Sequence, residues 1–171
     1  MQAYRIEIKW ALLFTAMMLV WVLLERLVGL HGPYIERHAL YTNLVAVPAF
    51  LIYCLALREK RDTYYQGTMT YRQGLICGAV MTVIIALLSP LAQLITHTLI
   101  TPRYFPNLIE YAVSTDQMSR PDAQAYFRLD SYMLQSAVAS LFLGLLTTGI
   151  VAIFFRKPPS EIIGEPLGGY E

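Results

Sequence analysis

The sequence predicts an all-α, polytopic membrane protein with four transmembrane helices and a helical extracytoplasmic hairpin between the third and fourth helices. Hydrophobic residues make up 56% of the 171 residues and charged residues only 15%. An ordinary soluble domain has about 45–50% apolar and about 25% charged residues. The charged residues also separate the chain into four long apolar blocks. The mean hydropathy of +0.47 agrees with this fold class.

The first predicted span covers residues 10–30. No charged residue lies between Lys9 and Glu25, and a helix of this length extends about 30 Å, which matches one hydrocarbon core. Its apolar stretch exceeds the about 7–15 residues of a signal peptide, and no small-residue cleavage site follows it. We therefore expect the segment to remain attached, and to be helical because lipid leaves unpaired backbone groups unsatisfied.

Three further spans are predicted at residues 40–57, 74–100 and 132–155. The second is the shortest and contains a proline. The third carries no charge and is longer than the about 20 residues that cross a bilayer, so a tilt or a kink at Pro90 is expected. The fourth carries no charged residue. With their connections, the four spans form one predicted transmembrane domain over residues 1–157.

The outer loop, residues 101–131, is too long for a structureless connection. Pro106 is placed to begin one helix, and Ser119 is placed to cap a second helix. We expect the second helix to run straight into the fourth span. The tail, residues 158–171, is rich in proline and glycine and is predicted to be flexible and cytoplasmic.

Basic residues predict the orientation, because cytoplasmic loops carry an excess of Lys and Arg. Five basic residues fall on the side of the two outer loops and eight on the side of both termini. Those eight are Arg5, Lys9, Arg58, Lys60, Arg61, Arg72, Arg156 and Lys157. The N- and C-termini are therefore predicted to be cytoplasmic.

Small residues recur at every fourth position in two of the spans. They are Gly74, Gly78, Thr82 and Ala86 in the third span, and Ser136, Ser140, Gly144 and Thr148 in the fourth. Residues four apart share one helix face, and small side chains there let two helices approach closely in lipid. Either the two stripes pack against each other within one chain, or one of them faces another subunit.

Polar residues within the spans are concentrated in the outer halves: Glu25, Arg26, Asn43, Ser89, Gln93, His97 and Gln135. We expect Glu25 to pair near Arg26 or with His97. One interpretation is a polar pocket open to the outer leaflet, with His97 and Glu25 as a proton-sensitive pair. The alternative is that these side chains lie near the interface and bond within the bundle or to lipid headgroups.

No sequence motif indicates catalysis or a cofactor. Phosphate-binding, dinucleotide-binding, zinc-protease and nucleophile-elbow patterns do not occur. His31, His38 and His97 are too scattered along the sequence to predict a zinc site, so neither a metal nor a cofactor is expected. The net charge of +1 argues against nucleic-acid binding. The inner halves of the spans contain no Asp, Glu, Lys, Arg or His, which argues against a channel or a proton pump.

The order of these features resembles a bacterial membrane family known as domain of unknown function 4199. The resembling segments are YYQGTMTYRQGLICGAVMT at the third span, YFPNLIEYAV after it, and the fourth span ending FFRKP. The resemblance covers most of residues 10–157. It implies a four-helix protein of a bacterial cytoplasmic (inner) membrane, and it implies no activity, cofactor or catalytic residue.

The sequence therefore favours a non-catalytic accessory or scaffold subunit of a membrane complex. Its expected partners are the lipid bilayer and other membrane subunits or a second copy of the chain. The alternative hypothesis is a carrier or sensor that binds a small or lipid-like molecule in the outer polar pocket.

Overall fold

The computed structural model describes residues 4–157, and within that range the regular structure is helical apart from one isolated β-bridge. Short segments extend or join the α-helices at Thr42–Val45 (3₁₀), Lys60–Tyr64 (π) and Thr96–Ile100 (π). The α-helices of this range are α1 (Arg5–Leu27), α2 (Ile35–Tyr41), α3 (Ala46–Glu59), α4 (Tyr71–Ile95), α5 (Tyr104–Ser114), α6 (Arg120–Tyr126) and α7 (Leu129–Phe155).

Four continuous helical segments in the described range are long and apolar enough to cross a membrane: Arg5–Leu27, Ile35–Tyr64, Tyr71–Ile100 and Leu129–Phe155. Their outward surfaces carry large apolar side chains that water would not favour. Leu87, for example, is 75% exposed and Phe154 is 73% exposed. The predicted all-α fold with four candidate membrane spans is confirmed.

The four long helices alternate in direction, so both ends of the described chain lie at one end of the bundle. At this end, called the terminal end and defined by Glu7, Lys60 and Lys157, the Lys60 ammonium lies 2.8 Å from the Glu7 carboxylate. The backbone of Lys157 pairs there with that of Met69. The opposite end, called the loop end, is defined by His31, His97 and Tyr104.

The closest packing in the bundle is between α4 and α7, and it depends on the two small-residue stripes. A Cβ atom added to Gly78 would overlap the Thr148 side chain, and one added to Gly144 would lie 2.6 Å from both Thr82 Cγ2 and Tyr53 Oη. The stripes thus face each other within the chain, as the first of the two interpretations expects. Around the bundle the order is α1, α4, α7 and α3.

Pro90 lies inside α4 without ending the helix. Proline has no backbone N–H, so the carbonyl four residues earlier, that of Ala86, loses its helical donor. The Ser89 hydroxyl donates to this carbonyl at 3.0 Å. A neighbouring side chain therefore satisfies the freed carbonyl, which lipid cannot do.

The second span extends beyond the predicted residues 40–57 at both ends, since it runs from Ile35 to Tyr64. The sequence prediction stopped at the first charged residues. In the structure Lys60 is buried against Glu7, and its ammonium lies 3.9 Å from the centroid of the Tyr64 ring. Pairing the charge allows the helix to continue through it.

Two short helices, α5 and α6, connect the third and fourth spans and contact each other. The predicted cap at Ser119 is confirmed, because its hydroxyl accepts from the Asp122 backbone N–H. The second helix does not run into the fourth span, however. It ends at Tyr126, and α7 begins only after Arg128, whose backbone is extended. The predicted flexible tail, residues 158–171, lies outside the described residues.

The α4–α7 contact predicts different effects for two glycines on α7. We expect Gly144→Ala to lower the free energy of unfolding by about 1–3 kcal/mol, because the added methyl group overpacks the interface. Gly149→Ala is the matched control, since a Cβ there meets nothing within 4 Å. Reversible denaturation in detergent micelles measures both. Equal stabilities for the two variants would contradict the packing described here.

Candidate functional site

The site begins where α1 ends. Gly29 adopts a positive φ of 85°, its N–H bonds the Arg26 carbonyl, and the Leu30 N–H bonds the Glu25 carbonyl. These two bonds form a Schellman motif, which reverses the chain at a helix C-terminus and favours glycine at this position. The reversal brings His31 back beneath the last turn of α1, next to Glu25.

Two histidines converge on one carboxylate oxygen of Glu25. His31 Nε2 lies 3.3 Å from Glu25 Oε2, and His38 Nε2, on α2, lies 3.6 Å from the same atom. The Glu25 side chain is 5% exposed and that of His31 is 7% exposed. Glu25 and His31 are therefore buried almost completely, whereas His38 is 20% exposed.

Hydrogen bonds from α1 itself and from α5 hold this group of residues in place. The Trp21 indole N–H donates to Glu25 Oε1 at 2.7 Å. The Asn107 amide, on α5, donates to the His31 carbonyl at 2.8 Å. The Tyr104 hydroxyl lies 3.4 Å from His38 Nδ1. Two sequence-distant elements, α1 and α5, thus hold the histidines in place.

All three histidines of the chain surround the ring of Tyr104. The ring centroids of His31, His38 and His97 lie 5.0, 5.4 and 5.5 Å from that of Tyr104. Burial raises the pKa of Tyr104, which keeps its phenol protonated. The neutral hydroxyl can therefore donate to, or accept from, the imidazole that it faces.

His97 occupies a different position from the other two histidines. Its Nε2 lies 3.0 Å from Gln93 Oε1, one turn earlier on the same helix. Its ring stacks on Phe105 with centroids 4.1 Å apart and meets the Tyr132 ring edge to face. His97 faces the same space as Glu25 but does not contact it.

These side chains line a partly open cavity of about 180 Å³ at the loop end. Its wall includes Glu25 and all three histidines. The other polar groups of the wall are Thr42, Gln93, Thr96, Thr101, Tyr104 and Tyr132. A second, mostly apolar cavity of about 90 Å³ lies deeper in the bundle and shares four wall residues with the first: Met18, Val22, Gln93 and Thr96.

The structure brings together only part of the polar set predicted from the sequence. Glu25, Gln93 and His97 line the loop-end cavity, and Ser89 lines the deeper one. The expected pairing of Glu25 with Arg26 or His97 does not occur, because His31 and His38 occupy its carboxylate. The other three residues lie outside the cavity wall: Arg26 bonds the Ile100 carbonyl, Asn43 is exposed and bonds the Ala39 carbonyl, and Gln135 is exposed.

Sequence reasoning did not find His31 and His38, although a usable signal existed. Gly29 stands where a helix that ends after Glu25 would have its C-terminal glycine, and a Schellman turn there returns the following residues to the helix end. The expectation that the histidines are too scattered for a metal site considered their separation in sequence. In the folded chain, the turn at Gly29 and helix α2 bring His31 and His38 to the same oxygen of Glu25.

The fold and the cavity define a class of protein: a helical bundle with four apolar helices of membrane-spanning length and, at one end, a partly open cavity with polar side chains in its wall. The model of the family described as "Protein of unknown function (DUF4199)" matches residues 9–157. The chain belongs to this family, as the sequence resemblance indicated. Neither a curated protein nor a solved structure matches the chain.

The Schellman turn predicts a specific effect of Gly29→Ala. Besides the positive φ, an added Cβ would lie 3.1 Å from Tyr34 Cδ2 and 3.2 Å from Pro33 Cγ. We expect a loss of about 1–2 kcal/mol in the free energy of unfolding, because a left-handed conformation is unfavourable for alanine. Gly32→Ala is the control, since a Cβ there meets nothing within 4 Å. Denaturation in micelles compares the two, and a larger loss for Gly32→Ala would refute the assignment of the turn.

Proposed function

We propose that the protein is a non-catalytic, multi-pass protein of a bacterial cytoplasmic membrane that binds a small polar molecule or ion at its loop end, as a sensor or carrier. One observation carries this proposal. Three buried polar atoms in the cavity wall, His31 Nδ1, His97 Nδ1 and Thr101 Oγ1, have no hydrogen-bond partner within the described chain. Buried polar atoms cost about 1–3 kcal/mol each when unpaired, so a polar occupant that reaches these atoms would recover part of that cost.

The cavity supports binding rather than catalysis. No serine or cysteine lines it within the described residues, so the most common nucleophile–base pairs are not available there. The residues of its wall carry imidazole, amide, hydroxyl and carboxylate groups. Such a mixture recognises a polar ligand by hydrogen bonds or coordination.

An accessory or scaffold role has less support than binding. That role was inferred from the small-residue stripes as surfaces for another subunit. The contacts of Gly78 with Thr148, and of Gly144 with Thr82, occupy both stripes within the chain. A partner would have to use another surface, and nothing distinguishes such a surface from the apolar exterior that lipid would cover.

The proposed orientation places both termini in the cytoplasm and the loop end, with α5 and α6, outside it. It rests on the excess of Lys and Arg at the terminal end. Single cysteines at Gln66→Cys and Met118→Cys test this orientation. A membrane-impermeant maleimide applied to intact cells should label only Met118→Cys. The wild type provides the background, because Cys54 and Cys77 lie inside the spans. Labelling of Gln66→Cys alone would show the opposite orientation.

Ligand binding predicts that the cavity retains a small molecule or ion from the cell. Val22→Phe should fill the cavity without removing any polar group, because Val22 is an apolar wall residue. Val20→Phe is the matched control, since Val20 lies on the same helix and is 56% exposed. Native mass spectrometry of protein released gently from its own membranes should show an added mass in wild type and Val20→Phe, and its loss in Val22→Phe. Identical spectra for all three proteins would reject the proposed function.

A further inference from the structure

The arrangement around Glu25 has the form of a three-ligand metal centre. Glu25, His31 and His38 each present one ligand atom, and these three atoms lie within 4.8 Å of one another. Two imidazole nitrogens approach the same carboxylate oxygen. A carboxylate oxygen has two lone pairs and can accept from two imidazole N–H groups, but the same convergence of two nitrogens on one oxygen also gathers the ligand atoms that a cation would need.

The distances fit a particular class of cation. A tetrahedral zinc ion holds nitrogen and oxygen ligands at about 2.0–2.2 Å, which places neighbouring ligand atoms about 3.3–3.6 Å apart. The distances from Glu25 Oε2 to His31 Nε2 and to His38 Nε2 are 3.3 and 3.6 Å. Imidazole ligands favour zinc and other first-row transition metals, whereas magnesium and calcium prefer oxygen ligands.

The surroundings of two of the three ligands, His38 and Glu25, match those of a metal site, whereas His31 Nδ1 has no hydrogen-bond partner within the described chain. A ligating histidine usually gives its second ring N–H to a neighbouring acceptor, and a ligating carboxylate is itself hydrogen-bonded. His38 Nδ1 faces the Tyr104 hydroxyl at 3.4 Å, and the Trp21 indole bonds the free oxygen of Glu25 at 2.7 Å. The nearest basic residue along α1, Arg26, bonds the Ile100 carbonyl and does not line this cavity.

We propose that Glu25, His31 and His38 bind one divalent first-row transition cation, with zinc as the best fit, at the wall of the loop-end cavity. This inference rests on the proposed function and names the chemistry of its ligand. Three protein ligands leave a tetrahedral ion one open position. The cavity supplies the space for a water or a small ligand at that position, and Gln93 and Thr101 line it.

Zinc titration of the full chain tests the inference. The protein is purified in detergent without a polyhistidine tag, stripped with a chelator, and titrated with Zn²⁺ in competition with a fluorescent chelator. Wild type should bind one Zn²⁺ per chain. Glu25→Gln, His31→Gln and His38→Gln should each weaken binding by about 100-fold or more, and Mg²⁺ should not compete.

Glu36→Gln is the matched control. Glu36 lies on the same helix as His38, is 50% exposed and pairs with Arg37 outside the cavity, so its variant should bind Zn²⁺ as tightly as wild type. Equal losses in Glu36→Gln and His31→Gln would overturn the assignment. X-ray absorption of zinc-loaded wild type removes any dependence on how the variants fold, and it should show two imidazole ligands. A wild type that binds no zinc, or a spectrum without imidazole, also overturns the inference.

The cavity-filling comparison separates this inference from the proposed function. If wild type binds no zinc but retains a cell-derived mass that Val22→Phe lacks, the metal inference fails and ligand binding stands. If wild type neither binds zinc nor retains any added mass, both fail. A retained mass equal to one zinc ion, absent from His38→Gln, supports both together.

Discussion

The interlocking of α4 with α7 is the contact on which the rest of the structure depends. Helices in lipid gain little from hydrophobic contact with each other, so their association relies on close backbone approach. Gly78 admits the Thr148 side chain and Gly144 admits that of Thr82, which fixes the two helices both along and around their axes. The same contact places Tyr132, near the start of α7, against His97, which follows the end of α4. Two walls of the loop-end cavity are therefore positioned by glycines in the middle of the bundle.

Buried charge is treated differently at the two ends of this bundle. Removing charges from water costs several kcal/mol per ion unless they are paired. At the terminal end, Glu7 and Lys60 form a pair that joins the start of α1 to the π-helical turn after α3. At the loop end, the Glu25 carboxylate has two imidazole neighbours, and the surrounding wall retains unpartnered polar atoms. Glu7 Oε2 also lacks a hydrogen-bond partner within the described chain, so what distinguishes the loop end is the convergence of two imidazoles on one carboxylate beside a cavity.

Much of the fold could be predicted from the sequence because lipid imposes few solutions. Length and apolar composition suffice to identify four helices. The four-residue spacing of small residues around Gly78 and around Gly144 indicated two faces suited to close packing, but it left open whether they meet within one chain. The helix cap at Ser119 could also be predicted from the sequence, since it depends only on local chemistry. The site was harder to predict from the sequence, because the pairing of Glu25 with His38 depends on a turn at Gly29 and on how α2 returns along α1. Helix periodicity identified Gln93 and His97 as neighbours, but it carries no information about which helix faces them. Asn43 and Gln135, which are exposed, belong to the predicted polar set only because they lie in the outer halves of their spans. The position of a residue along a span does not determine the helix face on which it lies.

The position of the cavity favours a sensor over a carrier as the proposed role. A carrier must expose its site to each side of the membrane in turn, usually by moving one half of the bundle against the other. Below the two cavities, the described core is closed by Met81, Leu57 and the hydrogen-bonded pair of Tyr53 and Thr82, all of them 3% exposed or less. Opening that core would separate α4 from α7, which is the contact that holds the cavity together. A sensor needs no such movement. Its occupant would bind to residues of α1 and α2, and Tyr104 contacts His38 from α5. Occupancy of the cavity would therefore act first on the position of α5, the element that could present the state of the site at the surface.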